Sequence, residues 1–319
     1  MDILVTGGAG FIGSATAKRL VADGHRVVVV DNFNTYYDSQ LKRSRVAALI
    51  PDVPVHELDI TDKAALSELF TTHNFDVVCH FAAQAGVRYS VEAPEVYVHT
   101  NVLGTQTLLE VMQQNNVTRM VFASTSSAYG TTTQVPFKET SAADQPVSVY
   151  AATKRSAELL AYTYYKQYGI QTTCLRFFTV YGPWSRPDMA MLKFAQAITA
   201  GQPIDIYNHG DLRRDFTYID DIVEGFVQAV HTPLGYEIIN IGNGHPVKLL
   251  EFVELLEAQL GRPADRNLLP MQQGDVYETY ADTTKAKELL GFTAKTDLAD
   301  GMQVFVDWYQ QYYQSQQTI

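Results

Sequence analysis

Residues 3–21 read ILVTGGAGFIGSATAKRLV. An aliphatic run ending at Thr6 breaks into a glycine-rich turn with Gly7, Gly10 and Gly13 three apart, and apolar positions then return at Ala17, Leu20 and Val21 with the spacing of an amphipathic helix. A strand that turns through glycines into a helix lets backbone approach a ligand and aims the helix's first N–H groups at it, the arrangement that holds a pyrophosphate. A glycine triple of this spacing arises by chance roughly 0.08 times in a chain with this glycine content, so context decides its meaning. Here the context is a second strand, RVVVVD, which closes on Asp31. An acid in that place binds adenosine ribose hydroxyls and repels a 2′-phosphate, so the dinucleotide expected is NAD.

The alternation continues outward. VPVHELD, VVCHFAA, MVFAST and TTCLRFF are strand-length runs, each separated from the next by a segment long enough for a crossover helix, which predicts a parallel sheet covered on both faces, a doubly wound Rossmann fold. After Phe178 the rhythm breaks into Pro- and Gly-bearing pieces, but IVEGFVQAV and EIINIG read as one more helix and strand returning to the sheet. The chain is therefore expected to divide into a dinucleotide domain, 1–178 plus 217–243, and a smaller mixed α/β lobe, 179–216 plus 244–319, with the ligand between them.

Composition narrows the class. The 319 residues are 46% hydrophobic and 18% charged, enough for a large core and too few charges for a disordered or coiled-coil chain. No apolar run approaches the ~18 residues of a membrane span. The start, MDILVTGG, has neither a basic leader nor an apolar signal core, so the cytoplasm is expected. Cys79 and Cys174, alone in apolar stretches, read as buried reduced thiols, and no metal site is expected. A net charge of −11 argues against a nucleic-acid or anionic-membrane partner, so any anionic ligand must meet a local basic cluster.

The chemistry is expected at the carboxyl ends of the strands, where open parallel sheets bind ligands. Asp59 and Ile60 end the third strand and Phe81, Ala82 and Ala83 the fourth; Asp59 serves equally well as a helix N-cap. Tyr150 and Lys154 lie four apart at the start of a helical segment and project from one face. A lysine charge beside a phenol favours its ionised form, which suits the tyrosine for proton exchange near neutrality. Spacing alone does not select this pair, because Tyr162 and Lys166 repeat it in the same helix. Tyr150 is preferred because it follows a loop at the sheet's edge. ASTSSAYG closes the fifth strand at that edge and offers the hydroxyls of Thr125, Ser126 and Ser127, which could orient a sugar oxygen.

Together, TGGAGFIG, the Ser-Thr hydroxyls, YAATK and RDFTYIDDI resemble the extended short-chain dehydrogenase/reductase family, in its nucleotide-sugar branch, over essentially the whole chain. Within that branch HFAAQAGVRYS, FFTVYGPWSRPDMA, LRRDFTYIDDI and LPMQQGDV resemble the UDP-glucuronate 4-epimerases. The resemblance implies retained NAD, oxidation at sugar C4, rotation of the ketone, and return of hydride to the opposite face. It implies Tyr150 as the C4 base and acid, Lys154 on the nicotinamide ribose, and Thr125 or Ser126 on the 4-oxygen. Cofactor contacts implied are Gly7, Gly10, Phe11, Ile12 and Gly13 at the pyrophosphate, Asp31, Asn32, Asp59 and Ile60 at the adenosine, and Phe81, Ala82, Ala83, Asn101, Ser124 and Phe178 along the sheet edge. Asn101 could equally stabilise its own helix start.

For the UDP-sugar partner, the resemblance implies Arg214 on the diphosphate, Arg186 with Thr179 on the sugar carboxylate, and Asp275 on the uridine ribose. Arg88 either reaches the substrate or pairs with Glu92. Ser126 and Ser127 stand where the related dehydratases carry an Asp-Glu pair, and the loop lacks the Glu usual in decarboxylases, so both reactions are disfavoured. Neutral UDP-hexose epimerisation and a non-catalytic NAD-sensing role are the other readings. Many glucose-type epimerases have an Arg where this chain has Gln272. The aromatic stretches YTYYKQY and WYQQYY read as packing faces rather than nucleic-acid platforms. The family pairs two long helices per subunit in a four-helix homodimer core, here segments 95–115 and 150–168.

Overall fold

In the computed structural model, residues 1–131, 134–271 and 276–316 are described. Strand β1 (Asp2–Thr6) leads through the glycines into helix α1 (Phe11–Ala22). β2 (Arg26–Asp31), α2 (Ser39–Leu49), β3 (Val55–Glu57), α3 (Lys63–Thr72) and β4 (Val77–His80) follow. Side chains start two of these helices: Asp38 accepts from Gln40 N at α2 and Asp62 from Ala65 N at α3. The next stretch carries α4 (Tyr89–Glu92), α5 (Pro94–Tyr97), a π-helical turn over Val98–Leu103, and α6 (Gly104–Gln114). β5 (Arg119–Thr125), α7 (Val149–Tyr168) and β6 (Gln171–Phe177) complete the first pass.

The chain then leaves the sheet through β7 (Thr179–Tyr181), α8 (Ala190–Ala200), β8 (Ile204–Ile206) and β9 (Arg213–Tyr218), and returns through α9 (Ile219–His231) to β10 (Tyr236–Ile241). The resulting seven-stranded sheet has the order β10-β6-β5-β4-β1-β2-β3, every pairing parallel. Winding reverses at β1, which β2 flanks on one side and β4 on the other, and this opens a crevice at their carboxyl ends. The expected return of helix and strand is realised by α9 and β10.

Period-two alternation sorts the strand residues into two cores. Ile3 and Val5 join Leu20, Phe226 and Val227 on the face covered by α1 and α9. Leu4 and Val30 join Leu66, Leu108, Met112 and Phe122 on the face covered by α3, α6 and α7. Cys79 and Cys174 are buried and free.

Beyond β10 come β11 (Pro246–Lys248), α10 (Leu249–Leu260), β12 (Arg266–Leu268), β13 (Glu278–Thr279), α11 (Thr284–Leu290) and α12 (Leu298–Gln316). A second sheet forms around β9, antiparallel to β11 and parallel to β7 and β13, while β8 pairs with β12. Asp215, fully buried, pins this region: one carboxylate oxygen accepts from Asn243 N (2.8 Å) and Thr217 Oγ1 (2.9 Å), the other from Gly244 N (2.9 Å) and Ala281 N (3.0 Å). The aromatics of α12 pack internally, Trp308 and Tyr312 against Trp184 at centroid distances of 5.2 and 4.8 Å.

Helix α7 is tied to the sheet by one buried carboxylate. Glu158 accepts from Arg176 Nε (2.9 Å) and Nη2 (2.7 Å) on β6, from Ser124 Oγ (2.6 Å) on β5, and from Arg155 Nη1 (2.8 Å) on its own helix. Four hydrogen bonds keep this carboxyl below its ordinary range despite burial, which acts the other way. Glu158→Ala would leave Arg176 charged and unpaired, and is expected to lower the free energy of unfolding by about 3–5 kcal/mol. Urea denaturation measures it.

Candidate functional site

A cleft of about 280 Å³ runs along the carboxyl edge of the sheet. At one end lie Gly7, Gly10, Phe11, Ile12 and Gly13. Gly7 has φ +69°, and a Cβ there would fall 2.6 Å from Ala82 N; at Gly13 it would fall 2.3 Å from the Gly7 carbonyl oxygen. The glycines thus let β1, the start of α1 and the segment after β4 close on one another. The first-turn N–H groups of α1, which have no intrahelical acceptor, border the space that this leaves. Asp31 lines the cleft and is held by Ala9 N (3.1 Å) and Phe33 N (2.9 Å), with Lys42 Nζ 3.7 Å away. Burial lowers the Lys42 ammonium's pKa and the Asp31 charge works against that. Glycines, helix-start N–H groups and an acid at the second strand's end fit a dinucleotide, and the acid offsets the Lys42 charge that would attract a 2′-phosphate.

Asn32 and Ile60 also line the cleft. Asp59 is not among the lining residues. Its carboxylate accepts from Thr61 N (2.9 Å), Thr61 Oγ1 (2.7 Å) and Asn32 Nδ2 (2.8 Å), and these bonds hold its pKa down although burial alone would raise it. Asp59 therefore orders the turn into α3 and orients Asn32. Asn101 likewise stands back from the cleft. In the π-helical turn its amide donates to Gln84 O (3.0 Å) and Thr153 Oγ1 (3.0 Å) and accepts from Gln84 N (2.8 Å), so it joins the segment after β4 to α7 instead of capping a helix. Phe81, Ala82, Ala83, Ser124 and Phe178 all border the cleft.

At the chemical end Ser148 caps α7, accepting from Ala151 N, and Tyr150 sits in the helix's first turn. Tyr150, Lys154 and Thr125 line the cleft together. Burial pushes the Tyr150 phenol above its ordinary pKa, while the Arg186 charge and a hydrogen bond with Thr125 pull it back. Arg186 is thus a cation that acts on Tyr150. The Lys154 ammonium lies 4.0 Å over the Phe122 ring, and burial brings its pKa down to about 7 against the opposing charge of Glu158. Thr125 Oγ1 accepts from Ser127 N (3.1 Å) and caps the short helical turn Ser126–Tyr129. Ser126 is half-buried beside the cleft rather than in its lining. The rival pair is spent on packing, Tyr162 edge-on to Tyr236 and Lys166 over the Tyr162 ring.

On the second lobe's side Arg186 lines the cleft and is gripped by Asp188, Nε to Oδ1 (2.9 Å) and Nη2 to Oδ2 (3.0 Å). This two-point grip leaves Nη1 for another anion. Arg88 pairs with neither Glu92 nor the cleft lining but stacks over Tyr207, 5.0 Å from its centroid. Arg214 donates from Nη1 to the carbonyls of Arg213 (2.9 Å) and Tyr277 (3.1 Å) on the second sheet. Thr179 opens β7 next to the lining residues Phe178 and Val180. Asp275 and Gln272 lie outside the described residues.

Sequence reasoning passed over Tyr36, Tyr37, Lys42 and Gln84, which line the same cleft, and Asp188, which accepts from Tyr36 Oη (3.0 Å). The signal for the first two was present: paired tyrosines between a strand end and a helix in DNFNTYYD cannot both be solvated cheaply. Among the described residues no group of three or more His, Cys, Asp or Glu is placed to hold a metal ion, and no helix is long and apolar enough to cross a membrane.

Residues 3–242 match the model of the NAD dependent epimerase/dehydratase family. A probable UDP-glucuronate 4-epimerase of Rhizobium meliloti is 44% identical over 100% of this chain and 99% of its own length. The crystal structure of a UDP-glucuronic acid 4-epimerase from Bacillus cereus in complex with UDP-glucuronic acid and NAD superposes with a TM-score of 0.91 at 36% identity, covering 98% of this chain and 100% of that one. A UDP-glucose 4-epimerase from Thermotoga maritima with UDP-glucose superposes at 0.90 with 33% identity, covering 98% and 100%. Replacing Gly13 with Ala would drive a methyl into the Gly7 carbonyl and open the loop. Dinucleotide affinity is expected to fall by about tenfold or more, the factor that about 1.4 kcal/mol carries, as read by fluorescence titration with NAD.

Proposed function

Because the chain belongs to the NAD dependent epimerase/dehydratase family, we propose that it interconverts UDP-glucuronate and UDP-galacturonate by inverting C4 of the sugar. The observation that carries this reading is Arg186, a cation lining the cleft beside the buried Tyr150 phenol. Asp188 occupies two of its nitrogens; a neutral UDP-hexose would bring no charge to the remaining Nη1 edge, whereas a uronate supplies a carboxylate for it. Similarity extends to both uronate and glucose epimerases, and Arg186 favours the uronate.

Bound NAD supplies the acceptor and donor of hydride. Tyr150 takes the proton from the C4 hydroxyl and returns it to the same oxygen once the ketone has turned over, with Thr125, which lines the cleft beside it, orienting that oxygen. Lys154, dehydrated against Phe122, brings positive charge toward the nicotinamide ribose. Serines at 126 and 127 provide no carboxylic acid for loss of the C6 oxygen, which speaks against dehydration. Arg214 faces the diphosphate in this reading, and Asp275 the uridine ribose. The lobe boundaries remain 1–178 plus 217–243 for NAD and 179–216 plus 244–319 for the nucleotide sugar.

The same reading places the protein in the cytoplasm as a homodimer through the helices of 95–115 and 150–168. Exposed apolar side chains on these segments support the dimer: Val98, Leu103, Leu159 and Tyr162 are 43–51% exposed, a face that water disfavours.

Purified protein incubated with UDP-glucuronate and followed by proton NMR is expected to form UDP-galacturonate to a stable ratio without added cofactor. No conversion even with NAD supplied would overturn the uronate reading. Arg186→Leu is expected to raise KM for UDP-glucuronate by about 10–100-fold, the loss of a charge-assisted hydrogen bond of about 1.5–3 kcal/mol. It also removes the cation that offsets burial of Tyr150, so the phenol rises further, and the limb of kcat/KM that depends on its ionisation moves to higher pH.

A further inference from the structure

Helix α2 carries a guanidinium that the chemistry above does not use. Arg45 is fully buried, and its contacts join three separate segments. Nε donates to Trp184 O (2.9 Å) and Nη2 to Ser185 O (3.3 Å); Nη1 donates to Ala9 O (3.3 Å) and Tyr37 Oη (2.7 Å). All four acceptors are neutral. Arginine keeps its charge in proteins, and burying a charge costs free energy that a role in simple packing would not require. Each acceptor belongs to a segment with a task. Ala9 stands inside the glycine loop and donates its N–H to Asp31. Tyr37 lines the cofactor end of the cleft. Trp184 and Ser185 immediately precede Arg186, and Trp184 holds the left-handed backbone, φ +64°, that non-glycine residues avoid unless neighbours impose it.

The strained turn at Trp184 is thus gripped from two sides, its carbonyl by Arg45 and its ring by Trp308 and Tyr312. A shift of the glycine loop moves Ala9 O and therefore the guanidinium; a shift of the guanidinium moves the peptide that carries Arg186. A planar fork with fixed donor directions transmits such a displacement where a flexible ammonium does not.

We propose that Arg45 is a positioning residue that couples seating of the dinucleotide on the Gly7–Gly13 loop to placement of Arg186 for the sugar carboxylate. The proposal rests on the uronate reading of Arg186. Coupling of this kind is reciprocal, so the cofactor sharpens preference for the uronate as much as the uronate tightens the cofactor.

The test is calorimetric titration of the NAD-loaded protein, in a Tyr150→Phe background that prevents turnover, with UDP-glucuronate, UDP-glucose and UDP in parallel. Arg45→Lys keeps the charge and loses the fork. It is expected to lower the affinity ratio of UDP-glucuronate to UDP-glucose about tenfold while UDP binds as before, and to raise the dissociation constant of NAD in the presence of UDP-glucuronate. Tyr37→Phe, which removes one acceptor and leaves Arg45 in place, is expected to move the ratio the same way by a smaller factor, and serves if the lysine variant does not fold. An unchanged ratio in these variants, or an equal loss for all three ligands, overturns the proposal. Arg186→Leu separates the two levels: if it abolishes the preference while the Arg45 variant keeps it, the coupling is wrong and the uronate reading stands. If Arg186→Leu keeps the preference too, the reading of Arg186 falls and the coupling with it.

Discussion

The interaction on which the site depends is the buried carboxylate of Glu158. The reaction proposed here needs a phenol, an ammonium and a hydroxyl on one edge of the sheet, and they come from two elements: Tyr150 and Lys154 from α7, Thr125 from β5. Packing alone leaves a helix free to slide along a sheet by fractions of an ångström. Glu158 removes that freedom by accepting from β5 through Ser124 and from β6 through Arg176. It sits one turn beyond Lys154, so the tether acts next to the chemistry. Its negative charge also opposes the effect of burial on Lys154.

For the proposed reaction a chain with a net charge of −11 has to bind a ligand with several negative charges, which calls for a few well-placed cations. Arg186 is prefixed by its two-point bond to Asp188, which itself accepts from Tyr36. Its rotamer entropy is thereby spent before a substrate arrives, so less is lost on binding. The same arginine lowers the phenol's proton affinity. In the proposed reaction, recognition of the anion and tuning of the base would therefore fall on one side chain, and a change there would alter both together.

Much of this was legible in the sequence because it is local. Strand, glycine loop and helix occupy consecutive residues, the helical repeat puts Tyr150 and Lys154 on one face, and Arg186 lies in a loop rich in proline and tryptophan. The parts that were missed are joined by distance along the chain rather than by period. LKRSR, three cations in five residues, reads as a solvated helix face; the structure buries Lys42 and Arg45 because Asp31, Ala9 O and two carbonyls from the second lobe surround them. Where Lys154 ends is hidden from the sequence for a related reason. Periodicity gives the direction of a Cα–Cβ bond, not where a long side chain ends, and Lys154 ends on Phe122. Asn101 bonds to Gln84 and Thr153, partners far from it in the chain, which no local pattern announces.

Strand β10 closes one edge of the main sheet by pairing with β6, yet the chain between them has already built β7, α8, β8 and β9 of the other sheet. The two sheets are interlaced along the polypeptide, and this bears on how such a protein is made and altered. During synthesis the edge of the first sheet stays open until the intervening segment has left the ribosome, so the N-terminal portion cannot be finished and set aside as a folded unit. Exchange of substrate lobes between related genes by one crossover would cut through both. Diversification of sugar preference in this architecture is then pushed toward point changes in the loops that face the cleft, rather than toward replacement of a whole lobe.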